Sequence, residues 1–157
     1  MIEQAQKTIA SALKENDMHI RRLERSRSLL ADLFPLTVEA FSNLSEEEIE
    51  HIDQFIYRFT KLQDSMGRRL LPAMYTWLES DDRPMPFLDM LNRLEQLQVI
   101  DDVGKWQFFR NLRNNLAHDY PESAEQTVDT LNVLYNEIQA LEDMFLKVRS
   151  VWNQRAS

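Results

Sequence analysis

The sequence predicts an all-α protein in which about five helices form an up-and-down bundle. Apolar residues recur at spacings of three and four along most of the chain, the period of a helix that buries one face. The chain has only 2 glycines in 157 residues, too few for the tight turns of a β-protein. The segments between the apolar stripes are short, so successive helices are expected to lie antiparallel.

The first two helices are delimited by turn and capping signals. An apolar stripe over residues 9–30 predicts a long first helix that ends before Pro35. Ser45 and Glu48 have the spacing of a capping box and predict the start of the second helix. That helix contains Pro72, which is expected to kink it because proline lacks a backbone N–H.

Three shorter signals organise the second half of the chain. Residues 80–86 read SDDRPMP, which predicts a turn. A third helix is predicted over 87–97 and a fourth over 103–116, closed by Pro121. Ser123 is the predicted cap of a fifth helix with a near-heptad apolar stripe. These stripes are interpreted as core, with no cofactor required to explain their aromatic and methionine members.

Length and composition limit the class of protein. A chain of 157 residues without repeats or linkers predicts a single domain over 1–157. The formal net charge of -8 argues against broad non-specific nucleic-acid binding, although it permits a local basic site. The absence of cysteine excludes disulfides and thiolate metal sites. No signal core or membrane-length apolar segment is found, so a cytoplasmic protein without membrane contact is expected.

One stretch of the predicted fourth helix carries chemistry. Residues 113–120 read RNNLAHDY, which places an arginine, two amides, a histidine and a tyrosine at a helix end. Arg113 has a forked charge suited to phosphate, and His118 can exchange a proton near neutral pH. The helix C-terminus and Asp119 favour the protonated imidazole. The plain structural alternative has the amides solvated, Arg113 in a surface pair and His118 capping the helix.

Helix geometry indicates which of these side chains meet. Asn114 and His118 are four residues apart and share a face, which Asn111 and Asn115 flank. Arg113 points about 140° away from His118, at about 100° per residue. A single regular helix therefore carries half of a site, and either the arginine side chain curls round or a second subunit completes it. The remaining histidines, His19 and His51, are interpreted as surface residues.

The spacing Arg, four residues, His, one residue, Tyr, with Asn directly after the Arg, resembles the RX4HXY signature of HEPN domains. More narrowly, it is similar to that of the HepT-like toxins of prokaryotic toxin–antitoxin pairs. The motif covers residues 113–120, while over the rest of the chain the resemblance is one of architecture and implies a HEPN-like four-helix core. Residues 58–70, RFTKLQDSMGRRL, are also similar to the second helix of relatives encoded beside nucleotidyltransferases.

The resemblance implies a homodimer with a composite site and metal-independent endoribonuclease activity, without a cofactor. The ribose 2′-hydroxyl would attack the adjacent phosphate, with His118 as general acid or base. Arg113 would stabilise charge on the phosphate, and Asn114 would position the phosphate or the histidine. Tyr120 corresponds to the tyrosine that an MNT-type nucleotidyltransferase antitoxin modifies with adenylate.

RNA contacts are expected around the motif. Arg110, Asn111 and Asn115 are the candidate RNA-binding residues on the fourth helix. The second helix offers four further basic residues whose placement the sequence leaves open: Arg58, Lys61, Arg68 and Arg69.

Two alternatives to the ribonuclease remain at this level. The first is a non-catalytic HEPN binding module that acts as the substrate-binding subunit of a nucleotidyltransferase. The second is a helical scaffold with no site, which a monomer with the motif face buried in its own core would support.

Overall fold

The computed structural model describes residues 1–117 and 123–157. All regular secondary structure within these two ranges is helical, which confirms the predicted fold class. The described elements are α1 (Ile2–Leu29), α2 (Val38–Ser42), α3 (Glu46–Ser65), a π-helical turn (Met66–Leu70), α4 (Leu71–Glu79), α5 (Phe87–Gln96), α6 (Val103–Ala117) and α7 (Ala124–Ala156). The predicted closure of α6 at Pro121 lies outside the described residues.

Four long helices, α1, α3, α6 and α7, form the bundle. Side-chain pairs run in opposite order along α1 and α3, where His19 contacts Arg58 and Glu15 contacts Arg69. The same antiparallel order relates α1 to α7, through Asp17–Arg149 and Arg27–Gln139, and the start of α6 to α7, through Asp101–Lys147 and Lys105–Glu137. Helix α3 contacts α6 through the pair Asp64–Arg113. Helix α1 is therefore antiparallel to α3 and α7, and α6 is antiparallel to α7, as the short connections predicted for successive helices.

The predicted second helix is continuous from α3 through α4 but contains a π-turn. Its capping box is confirmed, since the Ser45 hydroxyl accepts from the Glu48 amide at 3.1 Å and the Glu48 carboxylate accepts from the Ser45 amide at 2.9 Å. The amide of Leu71 donates to the carbonyl of Met66, five residues earlier. We attribute this wider turn to Pro72, whose ring opposes the carbonyl four residues before it in a regular α-helix.

The apolar stripes meet in one core. Its largest fully buried side chains are aromatic: Trp106, Phe55, Phe59, Phe109 and Phe145. The interpretation of the stripes as core is therefore confirmed. The interpretation of His19 as a surface residue is wrong, because α1 turns it toward α3 with a side chain that is 5% exposed.

Two local features flank the bundle. The short helix α2 was not predicted; the Thr37 hydroxyl caps it by accepting from the Ala40 amide at 3.0 Å. Helix α7 begins as predicted, with the Ser123 hydroxyl accepting from the Gln126 amide at 3.2 Å. Within residues 1–117 and 123–157, no helix is long and apolar enough to cross a membrane.

Candidate functional site: a basic cleft between α3 and α6

Helix α6 presents the described part of the RNNLAHDY motif because its opposite face is buried. Trp106, Phe109 and Leu112 point into the core. Arg113 follows Trp106 by two helical turns, so it lies at the border of the buried face and is 25% exposed. The side chain of Asn114 is one residue further round and exposed. The arginine is therefore held against α3, while the amide faces solvent.

A cleft of about 260 Å³ separates α6 from the end of α3. Its described wall consists of Gln63 and Asp64 from α3, Gly67 and Arg68 from the π-turn, Phe87 from α5, and Trp106, Arg110, Arg113 and Asn114 from α6. Three arginines and one aspartate thus line a cleft in a chain of net charge -8. The described wall of the cleft therefore has a net positive charge, although the chain as a whole is acidic.

The close approach of α3 and α6 depends on Gly67. A Cβ atom at this position would lie 2.9 Å from Cζ2 of Trp106, closer than ordinary van der Waals contact. Glycine therefore lets the π-turn rest directly on the indole of a fully buried tryptophan. This contact brings Asp64 and Arg68 within reach of the motif helix.

The guanidinium group of Arg113 makes two polar contacts. Its Nη2 donates to Oδ2 of Asp64 at 2.9 Å, and its Nη1 donates to Oδ1 of Asn114 at a longer 3.3 Å. Its Nε is buried and has no hydrogen-bond partner within the described part of the chain. The arginine side chain is thus held between Asp64 and Asn114, and its relation to His118 lies outside the described residues.

The four basic residues of the predicted second helix separate into two groups. Arg58 donates to Nδ1 of His19 at 3.0 Å, and Arg69 pairs with Glu15 and donates to Ser11 at 3.0 Å, so both pack against α1. Lys61 lies over the ring of Tyr57, at 5.5 Å from its centroid. Only Arg68 among these four lines the described wall of the cleft.

His19 is a titratable residue whose environment the sequence did not reveal. Burial lowers the pKa of its imidazole, and the neighbouring charge of Arg58 lowers it further, while Glu15 opposes both. A neutral ring can accept the hydrogen bond from Arg58. This histidine belongs to the α1–α3 interface and does not line the cleft.

The remaining predicted site residues have different outcomes. Asn111 and Asn115 are exposed and do not belong to the described wall of the cleft, whereas Arg110 does. His118 and Tyr120 lie outside the described residues, so their predicted roles stay predictions. The structure therefore brings together Arg110, Arg113 and Asn114, and it adds Asp64 and Arg68, which the spacing of the motif could not indicate.

Comparison with known proteins identifies no relative. No protein-family model matches the chain, and no curated protein or solved structure matches it either. The function is therefore argued from the cleft and the motif.

Proposed function

We propose that the protein is a metal-independent endoribonuclease, the toxin of a HEPN/MNT-type toxin–antitoxin pair. One observation carries the proposal: Arg113 and Asn114 of the RNNLAHDY motif line a cleft that contains three arginines, in a strongly acidic chain. A local concentration of guanidinium groups suits a phosphodiester backbone. The solvated amide of Asn114 and the ion pair of Arg113 with Asp64 are also what the plain structural alternative expects, so the proposal rests on the three arginines of the cleft.

The proposed reaction is an intramolecular transfer at phosphorus. The ribose 2′-oxygen bonds to the adjacent phosphorus and loses its proton, the bond from phosphorus to the 5′-oxygen breaks, and the leaving oxygen takes up a proton. His118 is the proposed group that moves a proton in this step. The products are a 2′,3′-cyclic phosphate and a 5′-hydroxyl end.

Arg113 is the proposed electrostatic catalyst. Negative charge develops on the non-bridging phosphate oxygens, and hydrogen bonds aimed there lower the barrier. Asp64 accepts one hydrogen bond from Nη2 and holds the guanidinium group at the cleft, where the side chain is 25% exposed. Each Nη atom carries two N–H groups, so a second N–H of Nη2 is available to a phosphate. Because the group is already oriented, little entropy is lost when it meets the transition state.

The proposal includes two partners. A second copy of the chain would supply the facing half-site, because His118 and Arg113 point in different directions on one regular helix. An MNT-type nucleotidyltransferase would act as antitoxin by attaching adenylate to Tyr120. The added phosphate would repel RNA from the cleft and place bulk beside it.

One observation favours a second function, a non-catalytic HEPN module that serves as substrate-binding subunit of a nucleotidyltransferase. Arg113 is already paired with a carboxylate at 2.9 Å, as expected of a structural ion pair. In this case the cleft would dock the partner or its nucleotide, and the chain would cleave no RNA.

The test combines cleavage and growth. The purified parent protein is expected to cut RNA in the presence of EDTA, to leave 2′,3′-cyclic phosphate ends and to spare an all-2′-deoxy strand. His118→Ala and Arg113→Ala are expected to abolish cleavage and growth arrest. Arg83→Ala is the matched control, because Arg83 is an exposed arginine in an ion pair with Asp81 at 3.0 Å, outside the cleft.

Undiminished toxicity of His118→Ala would refute the catalytic assignment. Tight binding of a nucleotidyltransferase by a parent protein that cleaves no RNA would instead establish the second function. Co-expression with the partner tests the antitoxin, since an adenylate adduct is expected on Tyr120 and is expected to be lost in Tyr120→Phe.

A further inference from the structure

We propose that the cleft holds a backbone phosphate of the RNA strand next to the scissile one, bound by Arg68 and Arg110. This inference rests on the proposed function and specifies how the substrate is held. It assigns a binding role to the π-turn, which lies outside the RNNLAHDY motif.

The three arginines of the cleft differ in whether a described carboxylate neutralises their charge. Asp64 neutralises Arg113, and within residues 1–117 and 123–157 neither Arg68 nor Arg110 makes an ion pair or a side-chain hydrogen bond. Both are exposed to solvent at the cleft. No carboxylate among the described residues pairs with either of these two positive charges, so an anion entering the described part of the cleft meets an attractive field.

The π-turn explains why Arg68 is available when its neighbour is not. Arg69 is directed to α1, where it pairs with Glu15. Arg68 lines the cleft beside α6, where Gly67 rests on Trp106, and it also borders a second cavity next to Arg69 on the side of α1. Adjacent helical residues point about 100° apart, so the packing of one arginine against α1 leaves the next facing the cleft.

The spacing of residues on α6 places Arg110, the second phosphate-binding arginine, along the cleft. Arg110 and Arg113 are three residues apart, so their Cβ atoms are about 5–6 Å from each other on one helix face. Arg113 is assigned to the scissile phosphate under the proposed function. A strand that reaches Arg113 therefore passes Arg110 and Arg68 with its neighbouring phosphate.

The side chains of the cleft suit a backbone phosphate. Its volume is about 260 Å³, and the charged groups of its described wall are three arginines and one aspartate. Its described wall contains one partly exposed aromatic ring, that of Phe87, which can contact a ribose. Recognition at this place is consequently of the backbone, and it is expected to be independent of base sequence.

The test measures binding of a cleavage-resistant strand. A fluorescent 2′-O-methyl oligoribonucleotide is titrated with the parent protein, Arg68→Ala and Arg110→Ala at several salt concentrations. Each substitution is expected to weaken binding about 3- to 10-fold and to reduce the slope of log Kd against log salt by about 0.7, the value for one contact to a single strand. Arg68→Lys is expected to retain the slope.

The matched control is Arg21→Ala. Arg21 is an exposed arginine on α1, and its removal changes the net charge by the same amount. Slopes for Arg68→Ala and Arg110→Ala equal to that of Arg21→Ala would overturn the inference. Competition by a free nucleoside monophosphate as effective as the unlabelled strand would also overturn it, since the ligand would then be a small molecule. Thermal unfolding of each variant confirms that the fold is kept.

In this experiment, a failure of phosphate binding can be distinguished from a failure of RNA cleavage. If the parent protein cleaves no RNA but the slopes fall as expected, the phosphate site stands and the proposed catalysis does not. If the parent protein cleaves RNA and the slopes do not change, catalysis stands and the phosphate site is refuted.

Discussion

Gly67 and Trp106 are in such close contact that a Cβ atom on the glycine would lie 2.9 Å from Cζ2 of the indole. The glycine belongs to the π-turn between α3 and α4, and the tryptophan is fully buried in α6. This contact lies at the cleft, between the π-turn on one wall and α6 on the other. It also makes the cleft sensitive to the addition of a single methyl group.

Gly67→Ala is expected to destabilise the protein by about 1–3 kcal/mol, because the methyl group overpacks an immobile ring and the helices must separate. Urea unfolding measures the loss. Gly104→Ala is the control, since its Cβ would meet mainly the carboxylate of Asp102, at 3.1 Å, and that side chain is exposed. It is expected to be neutral or to stabilise by up to about 1 kcal/mol, the helix-propensity gain of alanine. Equal effects of the two substitutions would contradict the close contact.

Asp64→Asn is expected to separate binding from catalysis. The change removes a negative charge from the cleft, so RNA should bind as tightly as to the parent protein or more tightly. Arg113 loses its charged partner and its fixed orientation, so kcat should fall about 10- to 100-fold.

Single-turnover cleavage and oligonucleotide binding measure these two effects of Asp64→Asn. Asp81→Asn removes the same charge from the exposed Arg83 pair and should change neither quantity. Parent-like kcat in Asp64→Asn would show that the aspartate does not position the arginine.

Glu142 on α7 is expected to make stability depend on pH. It is 1% exposed, and burial raises the pKa of its carboxyl to about 7; Glu24 and Asp143 add to the shift, and Arg27 opposes it. Since the folded pKa exceeds the ordinary value of 4.5, the folded state binds the proton more tightly. This contribution to stability is complete below about pH 4.5 and is lost as the pH rises through about 7.

Glu142→Gln removes this dependence, because the amide is neutral at every pH. Relative to the parent protein, its free energy of unfolding should rise between pH 5 and pH 8 by about 1–3 kcal/mol. Taking the difference cancels the opposite contribution of His19, whose lowered pKa costs stability as the pH falls below 6.5. Glu125→Gln, at an exposed position near the start of α7, is the control. A pH-independent difference for Glu142→Gln would contradict the raised pKa.

Asn132 tethers the segment before α2 to α7. Its Oδ1 accepts from the Leu36 amide at 2.7 Å, and its Nδ2 donates to the Leu36 carbonyl at 2.9 Å. Asn132→Ala leaves both backbone groups without partners beside a buried leucine side chain, so it should cost about 1–3 kcal/mol in chemical unfolding. Asn136→Ala, at an exposed position one turn further along α7, should cost less than about 0.5 kcal/mol.

Much of the fold was predictable because helices are encoded locally. The apolar period, the Ser45 capping box and the Ser123 cap depend on residues within one or two turns, and the structure confirms them. The short helix α2 was missed because five residues provide too little of a periodic pattern. The π-turn was missed as well, since Pro72 indicates a disturbance of the helix but not the form that it takes.

The site was predictable only in part. The motif indicated Arg113 and Asn114, and the structure brings both to one cleft together with Arg110. Asp64, forty-nine residues before Arg113, could not be inferred, because no local pattern encodes which α3 side chain will face α6. His19 was misjudged for the same reason: a histidine on a helix is buried or exposed according to what packs against that face.

The sequence by itself determined the long helices, the Ser45 and Ser123 caps and the eight residues that are proposed to carry the chemistry. Only the tertiary structure decided between Arg68 and Arg69, which are adjacent and identical in type. Arg69 is directed to Glu15 on α1, and Arg68 faces the cleft beside Trp106. The physical reason is that the sequence of the π-turn does not specify which arginine will face a neighbouring helix. The helices that pack on either side of the π-turn decide this.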